Sequence, residues 1–329
     1  MNWRIGAGLP PRTPLGAMLQ TSFGFTRVAQ SFHLATRSAL SRSAQKQTGS
    51  KGLRPFAGLG GAQLCLAFLL SLSSPAHAEP PLLAGTAEQG GAVMGRAAVG
   101  AKVFLDGAMV PVDGSGRFVL GFGRNAAAKA EVKVVGANGK VSRVALEVRP
   151  REWPVQRIDG LPQEKVTPPA ALLARIAADS KAVAAARERR RPTADFLGGF
   201  VLPVQGRVSG VFGSQRVLNG EPKAPHSGLD LAAPVGTPVH AAADGVVSLV
   251  HPDMFYTGET VMIDHGLGLQ TVYAHMSRID VKLGQRVRQG EAIGAVGATG
   301  RATGPHLHWG ASWLDRRLDP ETLLRLAQP

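Results

Sequence analysis

Hydrophobic and polar positions alternate along two stretches of the chain, and a stretch between them repeats at helical spacing. Val103-Phe104-Leu105-Asp106-Gly107 and Val112 to Leu120 alternate and are punctuated by Asp-Gly and Gly-Ser-Gly turns. Lys129 to Val135 and Val141 to Val148 follow, joined by Ala137-Asn138-Gly139-Lys140. Asn-Gly between alternating runs is a strong hairpin signal. Several short strands with regular turns predict a small Ig-like β-sandwich over residues 79–150. Pro154, Pro162, Pro168 and Pro169 then break regular structure. Pro169 to Arg191 is Ala-rich, with Leu172, Leu173, Ile176 and Val183 near helical period. Residues 151–198 therefore read as a Pro-rich and helical connector. The helix ends in Arg187-Glu188-Arg189-Arg190-Arg191, which reads as a solvated run whose cations complement the helix dipole. Further on, Val204 to Gly213 reads as a strand and Ser214 to Lys223 as a loop. Gly245 to Val250, Glu259 to Asp264 and Gln270 to His275 read as antiparallel strands. The fold class is mainly all-β.

Residues Pro225 to Gly310 carry the chemistry. Their motifs are His226-Ser227-Gly228-Leu229-Asp230, Tyr273-Ala274-His275 and Gly304-Pro305-His306-Leu307-His308. His226 and Asp230 are four apart, and His306 and His308 are two apart. On strands, even separations place side chains on one face, so each pair can converge. On a helix the second pair would diverge, and Pro225 and Pro305 argue against helix interiors. Two imidazoles and a carboxylate suit a catalytic zinc site, which keeps three protein ligands and one open position. A closed structural site would need a fourth ligand, and the single Cys65 lies in a segment expected to be removed. His265, His240 and His251 read as structural, and Asp244 as a turn residue. Arg216, Asn219 and Lys223, just before the first motif, are candidates to line a groove and meet a substrate carboxylate.

These motifs, with Ala243-Asp244-Gly245-Val246-Val247 and Ile263-Asp264-His265-Gly266, resemble the M23 (lysostaphin/LytM-type) zinc metallopeptidases, which include murein endopeptidases. The resemblance covers roughly Phe200 to Pro320. It implies His226, Asp230 and His308 as zinc ligands and His275 and His306 as the catalytic pair. It implies a C-terminal barrel-sandwich-hybrid domain over 199–320, followed by a tail over 321–329. The run from Val281 to Gly297 is similar to the barrel-sandwich folds of lipoyl and biotinyl carriers. It has no carrier Lys in a suitable hairpin turn, which excludes a carrier function. No HExxH motif is present to supply a glutamate base, so neutral imidazoles are its natural replacement. His306 is expected as general base on the attacking water. His275 is expected to stabilise the oxyanion or protonate the leaving amine, with the two roles exchangeable.

Composition adjusts this picture in two places. The net charge is +14, but residues 1–78 hold eight Lys or Arg and no acid, leaving +6 for the rest. The excess is thus mostly N-terminal and does not call for nucleic acid. Residues 53–78 read as a signal peptide: Lys51 and Arg54, an apolar run from Gly60 to Leu72, then Ala76-His77-Ala78, with a cut before Glu79. Leu64 before Cys65 argues against lipidation. Residues 1–52 read as a disordered or mis-assigned extension. The expected compartment is periplasmic, with membrane contact only through the signal and peptidoglycan stem peptides as partner. Two rival readings remain at this level. One is a non-catalytic LytM-type regulator with a separate wall amidase as partner. The other is a wall-binding protein whose function sits in the N-terminal module.

Overall fold

The computed structural model describes residues 78–329, Arg189 excepted. The extension and nearly all of the signal segment expected from sequence lie outside the described residues.

The first module has seven strands: β1 (Leu82–Ala84), β2 (Ala92–Arg96), β3 (Lys102–Leu105), β4 (Ala108–Val110), β5 (Arg117–Gly121), β6 (Lys129–Val135) and β7 (Val141–Glu147). They form two antiparallel sheets, β1-β2-β5 and β4-β3-β6-β7. β6 shows why: Ala130, Val132 and Val134 are buried, while Lys129, Glu131 and Lys133 point outward. The expected Asn138-Gly139 turn joins β6 to β7, in register from Lys129↔Glu147 to Val135↔Val141. Val103, Leu105, Phe118, Leu120 and Val132 fill the space between the sheets.

The next segment departs from expectation. Between the prolines lies a strand, β8 (Val155–Ile158), followed by α1 (Gln163–Val166) and the expected helix, α2 (Ala170–Glu188). β8 runs parallel to β10 (Gln215–Leu218), which forms a hairpin with β11 (Glu221–Pro222) after β9 (Arg207–Gly210). Ser214 to Lys223 is therefore a hairpin and not a plain loop. Its turn is Asn219-Gly220, with φ of 47° and 83°, the left-handed pair that a tight hairpin requires.

The remaining elements are β12 (Gly228–Ala232), β13 (Pro238–His240), β14 (Gly245–Met254), β15 (Gly258–Gly266), β16 (Leu269–Ile279), β17 (Arg286–Val287), β18 (Ala292–Val296), β19 (His306–Trp313), β20 (Arg316–Leu318) and α3 (Pro320–Leu323). The main path of the sheet runs β17-β14-β15-β16-β19-β12-β9; β18 pairs with β13 and β16, and β20 with β19. Leu307, Trp309, Ala311 and Trp313 of β19 are buried in the core with Tyr273, Ile263 and Leu229. The alternate residues His306, His308, Gly310 and Ser312 therefore face the other side. On that side α2 covers part of the sheet, where Ala186 packs with Leu249, Met262, Val272 and Ala274. The sandwich docks against β19 and β20. Its core is continuous with theirs, the Arg316 guanidinium donates to the Gly121 carbonyl at 2.8 Å, and Arg151 pairs with Asp319 at 2.8 Å.

The basic run ending α2 is only partly solvated, contrary to expectation. Arg191 is held by Asp264 at 2.9 Å and by Asp195. Arg187 is inward, with Nε and Nη2 making no hydrogen bond among the described residues.

Candidate active site

Antiparallel pairing of β12 with β19 sets Asp230 directly opposite His308, and β16 sets Ala274 beside His308. Opposed residues share a face, so the Asp230 and His308 side chains rise together. His226 lies just before β12. Its Nδ1 is 3.0 Å from the Val211 carbonyl, and a carbonyl only accepts, so Nδ1 carries the hydrogen and Nε2 a lone pair. That Nε2 lies 3.0 Å from Asp230 Oδ1 and 3.1 Å from His308 Nδ1, while His308 Nδ1 is 2.8 Å from the same Oδ1. All three residues are buried. A proton on His308 would satisfy one edge of this triangle. The edge from His226 to Asp230 sets a lone pair against a carboxylate oxygen, which calls for a cation between them. The triangle is slightly tighter than the roughly 3.3 Å edge of a tetrahedron with bonds of about 2.0–2.1 Å. The donor set thus fits a metal ion, and these three residues could hold one.

Electrostatics point the same way. Burial alone would raise the Asp230 carboxyl, but the two imidazoles that face it, His226 and His308, outweigh burial and hold the carboxyl far below its usual range. Burial pushes His308 down to about 4, against the opposing pull of Asp230. An ionised Asp230 and a neutral His308 ring are the forms a metal binds.

Two glycines let the ligands pack. A Cβ at Gly228 would stand 2.8 Å from His308 Nε2, and one at Gly210 would stand 2.5 Å from Asp230 Oδ2. Gly228→Ala is expected to tilt the His308 ring and weaken metal affinity about 10- to 100-fold, the size of effect seen when a ligand's support is altered. Chelator competition with the variant and the parent protein checks this, alongside circular dichroism to confirm the fold.

His275 and His306 stand next to this triangle. Their ring centroids are 4.8 Å apart, and His306 Nε2 is 3.8 Å from Asp230 Oδ1. His275 has φ 61°, a left-handed conformation that costs a β-carbon residue roughly 1–2 kcal/mol; such strain concentrates at functional positions. Its Nδ1 is 2.7 Å from the Thr299 carbonyl, and His306 Nδ1 is 2.8 Å from the Gly304 carbonyl. Both rings therefore carry hydrogen on Nδ1 when neutral and present a lone pair at Nε2. Burial, followed by repulsion from His308 and His306, pushes His275 down to about 3. A neutral ring so held presents an acceptor at Nε2.

A cavity of about 110 Å³ opens over Asp230, His275 and His306, with Gln156 and Ile158 of β8 and Leu161 forming part of its wall. Of the three expected groove residues, only Arg216 is there, with Nη2 3.5 Å from Asp230 Oδ2. The Asn219 amide instead bridges the backbone of Leu161, at 2.8 and 3.1 Å, and Lys223 pairs with Glu221. Arg301, Thr299 and β8 belong to the site region and carry no sequence signal that marks them.

His265 is structural, as expected. It lies 2.7 Å from both the Asp244 carbonyl and Thr271 Oγ1, and burial pushes it down to about 4. The unfolded chain takes up this proton below about pH 6.5 and the folded chain does not until about pH 4. Stability should therefore fall as pH drops through that window, by on the order of 3 kcal/mol from this one residue. Urea midpoints of metal-free protein between pH 7.5 and 4 check it; a flat profile contradicts the prediction.

The model of peptidase family M23 matches residues 224–320. The peptidoglycan DD-endopeptidase ShyA of Vibrio cholerae is 52% identical over 88 residues, 26% of this chain and 20% of that protein. The DD-carboxypeptidase/endopeptidase Mpg of Neisseria meningitidis is 54% identical over 86 residues, again 26% of this chain and 20% of the relative. The chain thus spans about a fifth of the length of these curated relatives. A crystal structure from Pseudomonas aeruginosa assigned to peptidase M23 is 33% identical, with a TM-score of 0.54, and the alignment covers 73% of this chain and 96% of that one. At 33% identity over 96% of that structure, and with the family model matching residues 224–320, the chain belongs to peptidase family M23.

Proposed function

We propose that the protein is a zinc endopeptidase that hydrolyses peptide cross-links of peptidoglycan. The observation that carries this is the triangle of His226 Nε2, Asp230 Oδ1 and His308 Nδ1 with two further imidazoles at its edge. Neutral nitrogen donors and one carboxylate suit zinc, and three protein ligands leave a position open for chemistry. When bound there, zinc supplies a Lewis acid that polarises the scissile carbonyl and makes water more acidic.

The chain's own residues do the rest. Nε2 of His275 and of His306 accept hydrogen bonds from the attacking water and orient it. His306, the more exposed of the two, takes the proton as general base and returns it to the leaving amine. His275, with its very weak basicity, stays an acceptor. Thr299 and Gly304 fix both rings by their carbonyls.

The named DD-endopeptidase relatives support peptidoglycan as substrate, with D-alanyl cross-links as the bond class. The signal read at 53–78 supports export to the periplasm, where that substrate lies. The test is incubation of the zinc-loaded protein with purified cross-linked murein, followed by mass analysis of the released muropeptides. Conversion of cross-linked dimers to monomers is expected; unchanged dimers with glycan or amide cleavage would overturn the reading.

A further inference from the structure

A second cavity, about 480 Å³, adjoins the histidine cluster, and His226 and Ser227 form part of its wall. Arg216 and Arg301 line both this cavity and the one over His275 and His306. Arg124 and Arg317 also line it, and no Asp or Glu does. The four guanidiniums come from distant parts of the chain. Arg124 follows β5 of the sandwich and is anchored by donation from Nε to the Gly213 carbonyl at 2.7 Å. Arg316 of β20 turns away to Gly121, while Arg317, its neighbour, stands opposite Ser312 on the face shared by His308 and Asp230.

Arg317 is the telling residue. Its side chain makes no hydrogen bond or ion pair among the described residues, and burial pushes it down to about 10. The charge of Arg317 in turn acts on the unpartnered Arg187 at the end of α2. Arg216 has an unpartnered buried Nε and feels the charge of Arg301, although Asp230 compensates in part. Holding the Arg317 guanidinium partly buried beside other cations and without a counter-ion is costly. That cost is withdrawn when a ligand brings the missing negative charge, and guanidinium forks match a carboxylate in geometry.

We propose that this cavity is a carboxylate subsite, in which Arg317, with Arg301 and Arg124 beside it, holds a free carboxylate of the substrate peptide close to the scissile bond. The inference rests on the peptidase reading and narrows its substrate class to anionic peptides. It also gives the sandwich a direct part in substrate binding, through Arg124. A peptide whose carboxyl groups are amidated loses this contact.

The test measures binding, so that it stands apart from turnover. Two synthetic cross-linked stem-peptide dimers are used, one with free carboxylates and one with every carboxyl converted to carboxamide. Each is titrated by calorimetry into the zinc-loaded full chain carrying His306→Ala, which prevents consumption of the peptide. The acid dimer should bind at least about 10-fold more tightly than the amide, the scale of one charge-assisted hydrogen bond. Adding Arg317→Gln should weaken the acid dimer about 10-fold and the amide less than 2-fold. The thermal midpoint should not fall, because the substitution removes an unpaired charge. Should Arg317→Gln fail to fold, Arg301→Gln reads the same difference. Equal binding of the two dimers, or equal losses for both on substitution, overturns the proposal. Failure of the peptidase reading looks different: the His306-intact protein cleaves neither dimer, while the preference for the acid dimer persists.

Discussion

His308→Ala is expected to strip the metal site and reduce peptide hydrolysis by at least roughly 10³-fold, because the Lewis acid that activates water and carbonyl is lost with the ligand. The expectation follows from the triangle. His308 Nδ1 is the atom that approaches both His226 Nε2, at 3.1 Å, and Asp230 Oδ1, at 2.8 Å. Without it, two donors remain, too few for a stable three-ligand site. Metal content after dialysis should fall below about a tenth of an equivalent, against about one for the parent, consistent with a three-ligand catalytic site. The fold should survive, since β19 keeps Leu307, Trp309 and Trp313 in the core. The cost is that Asp230, buried, loses one of its two imidazole partners, about 1–3 kcal/mol of stability. Asp230→Asn should behave alike, with metal lost and shape kept. A metal-free His308→Ala protein with undiminished activity would show that catalysis lies elsewhere.

His306→Ala should separate catalysis from metal binding. His306 Nε2 stands 3.8 Å from Asp230 Oδ1 and outside the ligand triangle. Metal content should therefore remain unchanged while kcat falls about 10²- to 10⁴-fold, the usual worth of a positioned general base. His275→Ala should also retain metal and lose activity, with an added penalty because residue 275 occupies the left-handed region. If both rings hold the same water, the double variant should be little worse than the worse single variant, since residues that act as a unit are non-additive. Kinetics with metal analysis on all three proteins checks this. Full additivity would assign the two imidazoles to separate steps.

Much of the site was legible in the sequence because its chemistry is local. Even spacing on strands predicts that His306 and His308 share a face, and β19 does present them so. Gly228, which admits the His308 ring, also sits in the first motif. The register that sets Asp230 against His308 spans 78 residues and leaves no local trace. Asn219 and Lys223 looked as suitable as Arg216 on residue type alone. The hairpin turns Asn219 towards Leu161 and leaves Lys223 to Glu221. The Asn219-Gly220 pair carried that hairpin signal. β8 was hidden by the flanking prolines, and its pairing with β10 is parallel and distant. Arg124, Arg301 and Arg317 meet only through docking of the sandwich and the run of β20 beside β19, which no periodicity foretells. The hydrogen on His275 Nδ1 is set by one carbonyl, Thr299, across a loop, so its tautomer could be read only in three dimensions.

The central claim is that one zinc ion at His226, Asp230 and His308 makes this chain a peptidase. The most direct measurement is a zinc titration of chelator-treated, metal-free protein, with cleavage of a cross-linked muropeptide dimer as readout. Activity should be absent at the start, rise linearly and level off at about one equivalent, as a single three-ligand site requires. Undiminished cleavage by the metal-free protein, or no cleavage at any zinc level, would contradict the account.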